Sequence, residues 1–212
     1  PAVIRPSRRT VLASLPAVFV TACTTPAAQV NPVGPPRTDG YQGAWLTEPY
    51  VMPASSLTDT DGASFPLRTG SSKPALILFF GYTNCPDVCK TTLADLATAL
   101  NRVSPQVRAK VQVVVITVDP ERDTASVLRN YLDRFDPEFI GLTGKLARIQ
   151  EIGLSMGVVV EGTKTVSGGY EVLHSTQVIG FDAERRGRLV WTQGTSIATY
   201  KSDLERFAAS MP

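Results

Sequence analysis

Two stretches, Ala75–Gly81 and Val111–Val118, are apolar along nearly their whole length, and neither alternates. A strand with one wet face shows a period of two, whereas a strand covered on both faces reads as a continuous apolar run. Both stretches are therefore expected to be central strands between layers of helix. Such strands run parallel and need a helical crossover. The segment between them supplies one. Val88, Leu93, Leu96, Ala97 and Leu100 fall near helical spacing, which predicts a helix from Pro86 to about Val103. Pro86 suits a first turn, where its missing N–H has no partner to lose.

The remaining elements follow from local signals. Leu57–Leu67 reads as a hairpin turning at Asp61-Gly62. Asp119-Pro120-Glu121-Arg122-Asp123 is a turn, and Asp123 or Thr124 can cap a helix reaching about Phe135. A short strand is expected over Phe139–Leu142, a helix over Leu146–Met156, and strands over Val158–Glu161, Val172–Phe181 and Leu189–Trp191. An amphipathic helix over about Ser196–Ala209 closes the chain. The order predicts an α/β domain of thioredoxin-like type, with a central mixed sheet, flanking helices and an inserted β-hairpin.

The first residues read as an address rather than as fold. Ser7-Arg8-Arg9-Thr10-Val11-Leu12 has a twin-arginine pattern, and a mainly apolar stretch runs from Val11 to Ala22. A membrane-spanning helix takes about 20 residues, so the stretch suits the core of a signal peptide. Val20-Thr21-Ala22-Cys23 resembles a bacterial lipobox, in which the cysteine is lipidated and becomes the first mature residue. The expected division is a twin-arginine lipoprotein signal at 1–22, a lipidated flexible tether at 23–43 rich in Pro, Thr, Ala and Gly, and the domain at 44–212. This places the domain in the cell envelope, at the outer face of the cytoplasmic membrane. Loss of Arg5, Arg8 and Arg9 takes the net charge from +2 to −1, which leaves no basic excess to argue for nucleic acid.

The chemistry concentrates on few residues. With Cys23 as an anchor, Cys85 and Cys89 are the remaining thiols, and His174 is the single histidine of the chain. The cysteines follow the first buried strand directly, with Cys85 at or just before a helix cap and Cys89 in the first turn. Four-residue spacing on a helix puts two side chains on one face, about 5–6 Å apart at Cβ. Unpaired N–H groups and the helix dipole there favour thiolates. Two thiolates and an imidazole suit Cu(I), and Cys with His also holds Cu(II). The same pair can exchange with a disulfide, or form a simple structural one. Structural zinc takes four protein ligands, and this chain offers three good ones. Asp119 follows the second buried strand and is a candidate either to hold a ligand in place or to supply an oxygen ligand on the same rim. Asp87 is a helix N-terminal acid. No P-loop, no G-x-G-x-x-G in a βα turn and no G-x-S-x-G is present, and Gly168-Gly169 is a turn rather than a phosphate cradle.

Gly81-Tyr82-Thr83-Asn84-Cys85-Pro86-Asp87-Val88-Cys89, Thr117-Val118-Asp119-Pro120-Glu121-Arg122-Asp123-Thr124, Gly141-Leu142-Thr143-Gly144 and His174-Ser175 together resemble the Sco (SenC) family. The matches come in the family's order and cover about Leu57–Phe207. The resemblance implies a thioredoxin fold with an inserted hairpin, tethered to a membrane. It implies copper held by Cys85, Cys89 and His174, and delivery to the dinuclear copper site of cytochrome c oxidase subunit II. It also implies the alternative of a thiol–disulfide reductase acting on that subunit, with Cys85 and Cys89 as the redox pair and other copper carriers or thiol reductases as partners. Three positions depart from the pattern: Lys90 and Ala125 stand where the family usually has Pro, and Leu173 where it usually has Asp. Lys90 adds a cation near the thiolates, while Leu173 removes a carboxylate that could steady the imidazole.

Overall fold

The computed structural model describes residues 40–166 and 169–212. The signal segment, Cys23, most of the tether and Gly168 of the Gly168-Gly169 turn lie outside the described residues. In chain order, β1 (Ala44–Val51) precedes a hairpin of β2 (Ser56–Asp59) and β3 (Ser64–Pro66). The hairpin turns where expected: Gly62 has φ +83°, and the Asp59 carboxylate accepts from the N–H groups of Asp61 and Ala63. β4 (Ala75–Gly81) follows, then α1 (Val88–Leu100), α2 (Pro105–Lys110) and β5 (Val111–Thr117). The chain continues through α3 (Ala125–Leu132), β6 (Ile140–Thr143), α4 (Leu146–Ser155), β7 (Val160–Val166) and β8 (Gly169–His174). It ends with β9 (Val178–Phe181), β10 (Arg186–Trp191) and α5 (Ile197–Ala209).

Eight strands form one mixed sheet in the order β1-β10-β9-β4-β5-β6-β2-β3. The central β4, β5 and β6 are parallel and the other pairs are antiparallel. With its flanking helices, this is the thioredoxin-like α/β fold. Every residue of β4 and β5 is buried, as the non-alternating sequence requires. Fully burying a Leu, Ile or Phe contributes about 1.5–3 kcal/mol, so Leu76–Phe80 outweigh any single polar contact nearby. β4 and β5 pair without a slip from Ala75↔Val111 to Gly81↔Thr117. Their C-terminal ends therefore share one rim, and the Val118 N–H donates to the Gly81 carbonyl at 2.9 Å.

Three parts differ from the reading of the sequence. First, Val172–Phe181 is not one strand. Ser175 and Gln177 direct their hydrogen bonds to the segment after α4: Ser175 N–H to the Val159 carbonyl, Val159 N–H to Ser175 Oγ, and Gln177 Nε2 to the Gly157 carbonyl. The run therefore splits. β9 joins the main sheet, while β8 pairs with β7 as a separate two-stranded ribbon. His174 ends β8 and so sits on the ribbon. Second, β1 is an edge strand with an irregular register between Trp45 and Tyr50 and Pro49 within it. It shows no alternation, and an edge tolerates proline. Third, α1 stops at Leu100, and α2 follows with Ser104 as its cap and Pro105 at its start. α2 buries no residue, so it carries no periodic apolar signal.

Two buried polar groups fasten the fold. Asp203 of α5 accepts from Trp191 Nε1 at 2.8 Å and from the N–H groups of Gln42 and Gly43 at 2.9 and 2.8 Å. Residues 42 and 43, at the end of the expected tether, are thus bound to the domain. Arg185, between β9 and β10, has φ +60°, a conformation costly for a residue with a Cβ. Its guanidinium donates to the carbonyls of Arg68, Ser71, Lys73 and Pro74 at 3.1, 2.7, 3.2 and 3.1 Å.

Candidate metal centre

The dithiol occupies the loop from β4 into α1. Gly81 closes the strand against a sulfur. A Cβ at Gly81 would lie 3.2 Å from Cys89 Sγ and 2.7 Å from the Phe79 ring, so a larger residue would displace the thiol or the aromatic. The helix begins later than expected, with Asp87 as its N-cap and Cys85 two residues before it. Cys85 and Cys89 are therefore not two positions on one helix face. Instead, Cys85 Sγ accepts the Cys89 N–H at 3.4 Å. The sulfur satisfies one of the unpaired donors of the first turn, a task usually taken by a Ser, Thr or Asp oxygen at the cap. Asp87 makes no side-chain cap bond of that kind.

Both cysteines are free thiols, 3% and 1% exposed. The sequence favours thiolates at both positions, and the structure makes their ionisation unequal. Cys85 is lowered from 9.0 to about 6, chiefly by the hydrogen bond from the Cys89 thiol. Burial opposes this, and the N–H groups of Cys89 and Asp87 and the charge of His174 assist. Lys90 stands exposed on α1 and is not among these causes. The Cys89 thiol is pushed strongly up, first because it is the donor to Cys85, then by burial. One proton is thus held between two sulfurs, with the negative charge on Cys85.

A buried carboxylate braces this loop from the neighbouring strand. Asp123 is fully buried and accepts from Thr83 N–H at 3.0 Å, Thr83 Oγ1 at 2.6 Å and Thr117 Oγ1 at 2.5 Å. Burial pushes its carboxyl up, against the pull of these donors. Asp119, the candidate from the sequence, is also buried, and its carboxylate pairs with Arg122 at 3.0 Å. In the sequence Asp123 passed as a possible cap. The cap of α3 is Thr124, whose hydroxyl accepts from Val127 N–H. An acid directly before a competent cap residue is the signal that could have singled it out.

His174 reaches the site from the ribbon. It lines a cavity of about 310 Å³ together with Tyr82, Cys85, Pro86, Asp87, Val172, Leu173 and Gln193. Its Nδ1 lies 3.0 Å from the Val172 carbonyl. A carbonyl can only accept, so Nδ1 carries a proton, and in the neutral imidazole that binds a metal Nε2 keeps its lone pair. Nε2 is buried and has no hydrogen-bond partner among the described residues. An imidazole oriented through one nitrogen with the other left bare is the usual state of a metal-ligating histidine. Its ring stands edge-on to Tyr82, centroids 5.7 Å apart. Among the described residues, no three His, Cys, Asp or Glu side chains already converge as a metal cage. The structure brings His174 and Cys85 to one cavity, and the Cys89 N–H, in the first turn of α1, is bonded to the Cys85 sulfur.

Comparison with known proteins bears on this geometry. The SCO1/SenC family model matches residues 46–209. A protein of Stutzerimonas stutzeri named for copper binding is 31% identical over 174 residues, covering 81% of this chain and 84% of that one. A mitochondrial SCO1 homolog of Arabidopsis thaliana is 39% identical over 99 residues, which span 47% of this chain but only 30% of the plant protein. Among solved structures, copper-bound ScoI of Bradyrhizobium japonicum superposes with a TM-score of 0.65 at 31% identity, covering 74% of this chain and 99% of that one.

Proposed function

The chain belongs to the SCO1/SenC family, and from that premise we propose that it carries copper as cargo on Cys85, Cys89 and His174 and hands it to the dinuclear copper site of cytochrome c oxidase subunit II. The observation that carries this reading is the buried, unpartnered Nε2 of His174 on the cavity that Cys85 also lines. A thiol reductase has no use for that lone pair. Two sulfurs and one imidazole nitrogen form a soft donor set suited to Cu(I). The residues around it prepare the ligands. Cys85 offers a thiolate near neutral pH, Cys89 yields its proton when the ion arrives, and the Val172 carbonyl holds the imidazole tautomer. Asp119 and Asp123 on the same rim serve as supporting groups.

The reading is tested by anaerobic Cu(I) titration of the purified protein. One ion per chain is expected, none after thiol blocking, and a strongly weakened site in His174→Ala. One copper retained by a Cys85→Ser/Cys89→Ser variant would overturn the ligand assignment.

A second reading is supported by the unequal thiols. A Cys85 thiolate beside a protonated Cys89 is the arrangement of an attacking and a resolving cysteine. Cys85 attacks a disulfide of subunit II and releases one partner thiolate. Cys89 then loses its proton and attacks Cys85 Sγ, releasing the second thiolate and leaving the Cys85–Cys89 disulfide. The partner gains two electrons, and an upstream thiol reductase must return them to this pair. Loss of His174 separates the readings, since it disables delivery of copper and spares this exchange.

Both readings place the domain on the outer face of the cytoplasmic membrane, exported by the 1–22 signal and held by a lipid on Cys23 through the 23–43 tether. Intact-mass measurement of membrane-extracted protein checks this, and a mature chain without lipid at Cys23 would refute it.

A further inference from the structure

Tyr82 touches every part of the candidate centre. Its main-chain N–H donates to the Cys89 sulfur, and its carbonyl accepts from Cys85 N–H at 3.3 Å. Its phenolic oxygen accepts from Val172 N–H at 3.3 Å, a contact between residues 90 positions apart. Its ring meets the His174 ring at an interplanar angle of 78°, and the residue is 3% exposed. Val172 is thus held on both sides: its N–H by Tyr82 and its carbonyl by His174 Nδ1. Among the described residues, the ribbon that bears His174 forms its own two-stranded sheet, apart from the main one. α4 and the chain on either side hold its base, through the Ser175 N–H bond to the Val159 carbonyl and the Gln150 Nε2 bond to the Val160 carbonyl, and the Tyr82 contact holds the end that bears His174 toward the dithiol.

We propose that Tyr82 is a positioning residue that sets His174 over the dithiol, its hydroxyl fixing Val172 and Val172 orienting the imidazole with Nε2 free for copper. The proposal rests on the copper reading above. A phenylalanine at this position keeps the ring and the main-chain contacts to both cysteines. It removes the acceptor and leaves a buried N–H unpaired, which the ribbon relieves by moving outward to water.

The test compares Tyr82→Phe in the full-length protein with the same change in a His174→Ala background. In metal-free protein, exchange of the Val172 amide should rise about twofold to tenfold, the worth of one net hydrogen bond. Cu(I) affinity, measured by competition with a chromophoric chelator, should fall by a similar factor. The pH midpoint of Cys85 ionisation should move little, because the Cys89 thiol and the N–H groups of Cys89 and Asp87, which act on that sulfur more strongly than His174 does, are untouched. In the His174→Ala background the Phe substitution should leave Cu(I) affinity unchanged. Unaltered Val172 exchange and affinity would overturn the proposal. So would an equal loss of affinity in both backgrounds, which is the mark of general support rather than positioning. If the unmodified protein takes up no Cu(I), the copper reading fails by itself. The Val172 exchange rate and the His174 ring resonances then still decide whether Tyr82 sets the imidazole.

Discussion

Replacing Cys89 by alanine will move the ionisation of Cys85 upward by about one to two pH units. Cys85 is lowered from 9.0 to about 6, with the Cys89 thiol as the first cause. At 1.36 kcal/mol per unit, the full shift corresponds to about 4 kcal/mol in favour of the thiolate. A hydrogen bond to a charged group is worth about 1.5–3 kcal/mol. Its removal should therefore return the midpoint to about 7–8, with the amides of Cys89 and Asp87 and the charge of His174 retaining the rest. At pH 7 the thiolate share falls from about nine tenths to between about a tenth and a half. The assay is a pH titration of ultraviolet thiolate absorbance, paired with the pH profile of alkylation. A rate at one pH would mislead, because nucleophilicity rises with basicity by a coefficient of about 0.4–0.5 and cancels much of the lost thiolate. Cys89→Ser, which keeps a donor, should fall between the alanine variant and the parent. A Cys89→Ala midpoint that stays near 6 would refute the sulfur-to-sulfur bond as the main cause.

In His174→Ala, which removes the imidazole from the proton count, saturating Cu(I) should release about one proton per chain at pH 8, where only Cys89 still holds one, and about two at pH 5; an indicator-dye titration that gives two at both values contradicts the low Cys85 midpoint. Gly81→Ala should cost about 1–3 kcal/mol of stability by overpacking the Phe79 ring and Cys89 sulfur, and a denaturation midpoint equal to the parent's would show that the rim yields freely. Asp203→Ala strands three donors, two of them main-chain N–H groups at residues 42 and 43. It should cost about 2–4 kcal/mol in urea unfolding and speed amide exchange at those two positions; slow exchange retained there would rule out Asp203 as their anchor.

The central sheet was legible because burial on both faces leaves an unbroken apolar run, as in Ala75–Gly81. The cysteines were legible because the run ends directly at them. The ribbon was not. Val172–Phe181 has the composition of one strand, and only tertiary hydrogen bonds at Ser175 and Gln177 divide it. The shared proton was likewise invisible: two cysteines four apart suggest a helix face, and the late cap at Asp87 replaces that face with a sulfur accepting a main-chain N–H. Asp123 was hidden by its neighbour Thr124, because sequence patterns identify that a cap exists more readily than which residue makes it.

Arg185 has a mechanical consequence. It lies where β9 ends beside the start of β4, since Phe181 pairs with Leu76, and so at the opposite end of β4 from the dithiol. Its partners are four carbonyl dipoles rather than a carboxylate. Exposed ion pairs such as Arg148–Glu151 weaken as salt rises. A buried cation seated among carbonyls does not, and a lysine, with one nitrogen, could not span four acceptors. The far end of the sheet is therefore pinned at any ionic strength. A partner pressing on the dithiol rim works against a fixed end, and the strain it introduces must be taken up at the rim, by the loop and the ribbon that carry the three candidate ligands.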